Sequence, residues 1–316
     1  MSHFFRLVHN ENIKIYKRMG TWVMVGILVL VVALVGILTK FVLDPGSNAD
    51  WKAELSAENA QLIESLESAP LLEAQKRLLK ERIALNEYRI EHDVEPIKRD
   101  SLWGYMVDAT TFTGIAALFT IVIAAGMVAS EFSWGTVKLL LIRPVSRTKI
   151  LLAKYASTLL FALLMLLLLF STSFLFGVLF FGFGGAETPY LSYSNGRVIE
   201  QNMVTHIIEL FGFRSIDLIM MVTLAFMIST VFRSSSLAIG ISLFLMFTGP
   251  QLVQLLSQYD WAKYILFANT DLQQYTTGTP LVEGMTMTFS IVMLLVYFAL
   301  FAFLSLYIFK KRDVAA

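Results

Sequence analysis

The residues with the clearest potential for chemistry form a basic island between two long apolar runs. The stretch from Glu131 to Lys154 reads EFSWGTVKLLLIRPVSRTKILLAK, and its cations include Lys138, Arg143 and Arg147. A charged side chain is unfavourable by a few kcal/mol at the centre of a bilayer, so the island must lie outside the hydrocarbon. Basic connections between spans face the cytoplasm, which predicts the side on which this island lies.

The island has the features expected of a docking element. Gly135 to Ile142 can form a short helix, and Pro144 ends it because proline lacks an amide donor and disfavours an α conformation at Arg143. Ser146 is then a good N-cap for the next helix. Two spans would leave opposite ends of one compact turn, so a push on the turn would tilt both. An ordinary cytoplasmic loop without a partner is the open alternative.

Other catalytic patterns are absent from the sequence. No glycine is followed by lysine, so the chain has no phosphate-binding loop of the G-x-x-x-x-G-K type and is not expected to hydrolyse ATP by itself. The histidines lack H-E-x-x-H spacing, no G-x-S-x-G is present, and cysteine is missing. We therefore expect no catalytic, cofactor-binding or metal-binding residues in this chain.

Composition places these elements in a membrane. Hydrophobic residues make up 56% of the chain and charged residues 16%, whereas about a quarter of a soluble domain is charged. The net charge of +1, spread by membrane side, gives no basic face for nucleic acid. About twenty apolar residues cross a bilayer, and six segments qualify. The predicted spans are residues 21–43, 105–129, 150–181, 215–232, 236–256 and 285–309.

The basic flanks predict the orientation. Every second connection is basic, and Lys310 and Lys311 follow the last span, so both termini are expected in the cytoplasm. The predicted fold class is an all-α integral membrane protein with six transmembrane helices. Its inner segments are residues 1–20, 130–149 and 310–316. Its outer segments are residues 44–104, 182–214 and 257–284, the last of them external or re-entrant.

The first twenty residues interleave apolar and charged side chains, which predicts an amphipathic helix in the inner interface. A plain positive flank that only sets the topology is the alternative. The residues that define the interfacial helix are Phe4, Leu7, Lys14, Ile15, Lys17 and Arg18.

The outer segments carry weaker patterns. Apolar residues recur at helical spacing on both sides of Pro70, which predicts an external helical hairpin within residues 44–104. It is either a self-packed pair that caps the membrane domain or a sensor or substrate-guiding element. Residues 203–213 suggest an interfacial helix that leads into the fourth span. Arg214 and Asp217, three apart, suggest a local ion pair.

One resemblance narrows the function of the island. The pattern E-x-x-x-G-T-x-K-x-L-L-x-x-P-V-S-R, followed by K-x-x-x-x-K, resembles the cytoplasmic signature of membrane subunits in the type 2 exporter family of ATP-binding cassette transporters. Residues 10–18, N-E-x-x-K-I-Y-K-R, also resemble the way these subunits begin. The long outer hairpin departs from compact members of that family. In this chain the signature is carried by Glu131, Gly135, Thr136, Lys138, Leu140, Leu141, Pro144, Val145, Ser146, Arg147, Lys149 and Lys154.

The resemblance implies a permease subunit of an ATP-driven exporter in a bacterial plasma membrane. The partners would be a cytoplasmic ATPase that binds ATP and Mg, a second permease copy or a sister permease, and the lipid bilayer. The cargo would be an antimicrobial peptide, an amphiphile, a drug or an ion. The implied ATPase contacts are Glu131, Gly135, Thr136, Lys138, Leu140, Leu141, Arg143, Pro144, Val145, Ser146 and Arg147.

Two other functions remain compatible with the residues alone. The chain could be a membrane sensor or scaffold whose external hairpin binds a ligand. It could also be an energy-independent channel or carrier, or a membrane enzyme. Charges within the spans are scarce, which disfavours a carrier driven by protons or ions.

Overall fold

The computed structural model describes residues 2–42, 50–68, 73–136, 145–184, 187–194, 196–276 and 280–311. These residues are mainly helical. The elements are α1 (Ser2–Tyr16), α2 (Met19–Phe41), α3 (Trp51–Ser68), α4 (Glu73–His92), α5 (Leu102–Ala109), α6 (Thr113–Ser133), α7 (Arg147–Phe181), β1 (Tyr190–Ser194), β2 (Arg197–Gln201), α8 (Met203–Val231), α9 (Ser235–Leu256), α10 (Leu266–Asn269) and α11 (Met287–Lys311).

The described structure contains six helices long and apolar enough to cross a membrane, as the sequence predicts. They are α2, the nearly continuous α5–α6 pair, α7, α8, α9 and α11. An all-helical membrane architecture is therefore supported. Which ends face the cytoplasm stays a prediction.

Several spans begin earlier than predicted, because polar N-caps extend them. The second was expected to begin at residue 105, but Ser101 accepts a hydrogen bond from the Gly104 amide at 3.0 Å and starts the helix earlier. A short 3-10 turn at Thr110–Phe112 joins its two parts. Ser146 caps the third span by accepting from the Lys149 amide at 3.4 Å, as predicted.

The fourth span is longer than predicted, because residues 203–213, expected to form an interfacial helix leading into it, are continuous with it. Asn202 accepts from the amides of Val204 and Thr205, at 2.9 and 3.4 Å, and starts a single helix that runs to Val231. Gly212 lies inside it, because one glycine weakens a packed helix by only about 1 kcal/mol and does not break it.

The outer loop before this helix contains an antiparallel pair of strands, β1 and β2, that was not predicted. The sequence carries a signal for it, since Asn195-Gly196 is a favoured two-residue hairpin turn. Gly196 has φ +80°, a conformation that glycine adopts without strain.

The predicted outer hairpin corresponds to α3 and α4, which pack against each other. Their shared surface is polar at its centre. Asn86 Nδ2 donates to Asn59 Oδ1 at 2.9 Å, and Arg82 Nε donates to Glu58 Oε1 at 2.9 Å. α4 also contacts both strands of the β-hairpin. The leucine stripe that suggested this pair is only half-buried at Leu55.

Arg214 contacts partners other than the predicted Asp217, although its charge also acts on Asp217. Arg214 Nη1 lies 3.9 Å from Asp271 Oδ1, and Nη2 donates to Gln273 Oε1 at 3.1 Å. Both partners belong to the segment after α9, so this arginine joins two distant parts of the chain.

The core of the bundle lies around α6. Its buried face is rich in small residues, which lets α8 and α9 approach closely. Ser229 Oγ accepts from the backbone amides of Val128 and Ala129, both at 3.0 Å. Tyr105 donates its hydroxyl proton to the carbonyl of Val32 at 2.6 Å and attaches α2 to the same core.

One close approach gives a test of this packing. A Cβ atom at Gly104 would lie 2.2 Å from the carbonyl oxygen of Lys98, whereas one at Gly26 meets nothing within 4 Å. We expect Gly104→Ala to lower the free energy of unfolding by about 1–3 kcal/mol, as overpacking does. Gly26→Ala should leave it unchanged or raise it. Chemical unfolding in detergent micelles measures both, and equal effects would contradict the packing.

A buried carboxyl on α4 predicts pH dependence. Glu81 is 9% exposed, its Oε2 lacks a hydrogen-bond partner within the described residues, and burial raises its pKa from 4.5 to about 7. Between these pH values the folded state holds more protons than the unfolded state, so stability falls as pH rises through this window. Amide exchange of α4, corrected for intrinsic rates, should quicken between pH 5 and pH 8.

Glu81→Gln should remove most of that change, while Glu87→Gln, on the exposed face of the same helix, should keep it. An unaltered pH response in Glu81→Gln would show that another group is responsible.

Candidate functional site: a buried charge cluster

Four charged side chains meet where three helices converge at the predicted inner end of the bundle. Glu131 lies in the last turn of α6, Lys154 lies in the second turn of α7, and Glu11 and Lys14 lie on α1. We call these four residues the charge cluster. Two of them flank the basic island, so the cluster joins both ends of that island to the N-terminal helix.

The cluster is a ring of alternating charge. Lys154 Nζ lies 2.8 Å from Glu11 Oε2 and 2.8 Å from Glu131 Oε1. Lys14 Nζ lies 2.7 Å from Glu11 Oε1 and 3.3 Å from Glu131 Oε1. Each carboxylate therefore contacts both ammonium groups, and the formal charges sum to zero.

The exposure of the four side chains shows which of them depends most on its ion-pair partners. The Lys154 side chain is 2% exposed, those of Glu11 and Glu131 are 10% and 13% exposed, and that of Lys14 is 45% exposed. A buried ammonium loses its hydration, and only well-placed carboxylates compensate for that loss. Lys154 thus requires both glutamates, whereas Lys14 completes the ring at the rim.

The electrostatics of Lys14 agree with this position. Desolvation lowers its pKa, but the hydrogen bond and charge of Glu11, followed by the charge of Glu131, raise that pKa overall. The hydroxyl of Thr136 also donates to the Glu131 carboxylate. Both carboxylates are therefore held by donors from more than one segment.

Polar contacts around the cluster fasten α1 to the bundle. Ser157 Oγ donates to the carbonyl of Val8 at 3.1 Å. Where α1 ends, Thr21 Oγ1 donates to the carbonyl of Ile15 at 2.6 Å. The Arg18 guanidinium lies 5.4 Å from the ring centre of Trp134, which follows α6. α1 therefore cannot move without disturbing the start of α7 and the end of α6.

A second contact links the end of α6 to the turn between α8 and α9. Ser133 Oγ donates to the carbonyl of Arg233 at 3.0 Å and accepts from the Ser235 amide at 3.1 Å. Ser133 is two residues after Glu131. The residues that enter the basic island are thus anchored to four helices.

Five of the eleven implied ATPase contacts lie outside the described residues, within the segment 137–144. These are Lys138, Leu140, Leu141, Arg143 and Pro144. Gly135, at φ +70°, and Thr136 lead into that segment. Val145 and Ser146 lead out of it, and Arg147 Nη1 donates to the carbonyl of Lys310 at 3.2 Å. Glu131, which the resemblance places on the contact surface, instead points into the cluster.

The residues of the predicted interfacial helix separate into two groups. Ile15 is buried at 1% exposure and Lys14 belongs to the cluster, while Phe4 and Leu7 are half-buried. Lys17 is exposed in the turn before α2. The buried face of α1 packs on α7, so this helix is part of the bundle on that side.

Sequence reasoning missed Glu11 as a site residue. Its signal was the spacing from Glu11 to Lys14, an i,i+3 pair of opposite charge on one helix. No group of three histidine, cysteine or acidic residues that could hold a metal is found in the described part of the chain. The cluster's chemistry is mutual neutralisation, and its enclosed ammonium is out of reach of a dissolved substrate.

The ring predicts unequal effects of removing its two lysines. Lys154→Met leaves two buried carboxylates short of a cation and should lower the free energy of unfolding by about 3–5 kcal/mol. Lys14→Met removes an exposed partner and should lower it by about 0–1 kcal/mol. Glu131→Gln in the Lys154→Met background should recover part of the loss. Denaturant unfolding measures all three, and equal losses for the two lysine variants would contradict the ring.

Comparisons with known proteins agree with a membrane location. The chain is 50% identical over 312 residues to "Uncharacterized protein YhcI" of Bacillus subtilis (strain 168), covering 98% of this chain and 99% of that protein. It is 32% identical over 214 residues to "Uncharacterized membrane protein YdbK" of the same organism, covering 67% and 82%. With six apolar helices, this makes it a multi-pass membrane protein. A model described as "Protein of unknown function (DUF2705)" matches residues 85–315, more than half of the chain, which therefore belongs to the DUF2705 family.

Proposed function

We propose that this chain is the permease subunit of an ATP-driven exporter in a bacterial plasma membrane. It forms the transmembrane path and contains no nucleotide chemistry of its own. A separate cytoplasmic ATPase of the ATP-binding cassette type binds ATP and Mg and docks on residues 135–147. A second permease, either another copy or a sister chain, completes the assembly.

The charge cluster is the observation that supports this proposal best. A docking turn transmits force only if both of its ends are rigidly held by the elements that must move. Glu131 before the turn and Lys154 after it bind each other at 2.8 Å, and both bind α1. A displacement of the turn is therefore shared by α6, α7 and α1.

The length of α7 fits the same mechanism. Its 35 residues extend about 52 Å at 1.5 Å per residue, whereas the hydrocarbon of a bilayer is about 30 Å thick. The surplus carries the helix beyond the membrane on the side of the docking turn. Motion of the docking turn would be transmitted to the membrane-spanning part of α7, because α7 is one continuous helix.

The cargo follows less directly from the residues. A path between apolar spans suits an amphiphile, a drug or an antimicrobial peptide, and an ion is compatible with the family resemblance. The outer assembly of α3, α4 and the β-hairpin would shape the exit. Arg77 Nη2, 3.3 Å from Glu283 Oε1, joins that assembly to the loop after α10.

Two variants separate docking from transmission. The first step is to find whether a neighbouring gene encodes a P-loop ATPase; co-expression with that ATPase should give a stable complex in lipid nanodiscs. Arg143→Glu combined with Leu140→Asp should abolish association. Glu11→Gln should preserve association but uncouple the permease, so that ATP turnover no longer responds to it. Pull-down yield and phosphate release measure the two effects.

Lys310→Glu combined with Lys311→Gln serves as the control, because these two exposed residues give the same change of three charge units at the same predicted membrane face. Unchanged association and turnover in the Arg143→Glu, Leu140→Asp variant would rule out this island as the docking surface. A wild-type chain that binds no ATPase would overturn the exporter proposal as a whole.

A further inference from the structure

An apolar groove runs between α2 and α7 on the outer surface of the bundle, just beyond the end of α1. Its volume is about 440 Å³, within the range of small-molecule sites. We call it the α2–α7 groove. Its lining residues are Tyr16, Thr21, Trp22, Val25, Leu164, Leu167, Leu168, Ser171 and Thr172.

Three of the five polar side chains on its wall donate to carbonyls inside the chain. Trp22 Nε1 donates to the carbonyl of Tyr16 at 2.8 Å, and Thr21 Oγ1 donates to that of Ile15 at 2.6 Å. Thr172 Oγ1 donates to the carbonyl of Leu168 at 2.7 Å. An occupant therefore gains contact with hydrocarbon and little hydrogen bonding, which describes an alkyl chain.

The groove is closed at its far end by a tight contact between the same helices. A Cβ atom at Gly36 would lie 2.7 Å from the ring of Phe180, so α2 and α7 touch there. At the near end Tyr16 packs on Phe161, with ring centres 6.2 Å apart. Between these contacts the groove extends along Thr21 to Val25 of α2 and Leu164 to Thr172 of α7, and an acyl chain lying there would fill it.

The near end carries positive charge. Lys17 and Arg18 stand between Tyr16 and Thr21, both of which line the groove. Lys17 is exposed and has no acidic partner within the described residues. Aromatic residues such as Trp22 favour the depth of the headgroups, and cations there attract anionic lipid. The chemistry of the mouth thus matches a phosphodiester attached to the chain in the groove.

We propose that the α2–α7 groove is a binding site for one anionic phospholipid of the inner leaflet. One acyl chain lies between α2 and α7, and the headgroup phosphate lies beside Lys17 and Arg18. The site sits next to the charge cluster without using any of its residues. It does not depend on the exporter proposal, since it requires only a bilayer and these two helices.

Photolabelling tests the position of the lipid. The purified chain is placed in nanodiscs that contain phosphatidylglycerol or phosphatidylcholine with a diazirine on the acyl chain, and the labelled peptides are sequenced. We expect phosphatidylglycerol to label residues 164–172 and 21–25 above all other membrane-facing segments. Labelling spread evenly over the exposed faces of α9 and α11 would overturn the proposal.

Native mass spectrometry after mild delipidation tests retention. Ser171→Phe places a ring in the groove and should remove the retained phosphatidylglycerol. Leu175→Phe, one turn further along the exposed face of α7, should not. Lys17→Glu should keep chain binding but lower the preference for phosphatidylglycerol over phosphatidylcholine by at least about fivefold. Lys310→Glu should leave the preference unchanged.

Three results would contradict the proposal. Equal retention in Ser171→Phe and the wild type would exclude the groove. An unchanged preference in Lys17→Glu would exclude the headgroup site. A crosslink from residue 171 to a second copy of this chain would show that a protein interface covers the groove. Monodisperse elution and an unchanged helical circular dichroism signal establish that each variant is folded.

Discussion

The structure depends on keeping one ammonium group neutralised away from water. Lys154 is almost fully buried, and carboxylates from two other helices compensate its charge. Isolated burial of that charge would outweigh many apolar contacts, so the three helices must meet in one arrangement. Apolar packing in a bilayer discriminates weakly between helix faces, because lipid tails are as apolar as leucine. The charge cluster therefore selects which helix faces meet, which apolar side chains cannot do.

α6 is the element on which the other constraints converge. Its small-residue face allows α8 and α9 to pack closely, and Ser229 and Ser133 add hydrogen bonds along that contact. Its last turn presents Glu131 to the opposite side. One helix therefore connects the tightly packed half of the bundle to the half that contains the charge cluster. The basic island, which follows this helix, is held in place by both.

Features that are local in sequence could be predicted, and those that depend on distant partners could not. Six apolar runs predicted six helices because length and hydropathy are local properties. Ser146 predicted the start of α7 because a cap acts within one turn. The role of Glu11 and the pairing of Arg214 with Asp271 depend on contacts between segments that are far apart in sequence. Hydrophobic periodicity does not predict such contacts. The β-hairpin was missed although Asn195-Gly196 favours a turn, because the neighbouring residues lack clear alternation.

The separation of Glu11 from Lys154 along the chain has a consequence for biogenesis. The two residues are 143 positions apart, and they sit before the first span and at the start of the third. During synthesis Glu11 and its neighbour Lys14 are finished long before the second cation, Lys154, leaves the ribosome. The first two spans are therefore complete while Glu11 still lacks Lys154. Docking of α1 on the bundle becomes favourable only when the third span is present. It is therefore a late assembly step, which can occur only after three of the six spans have been inserted.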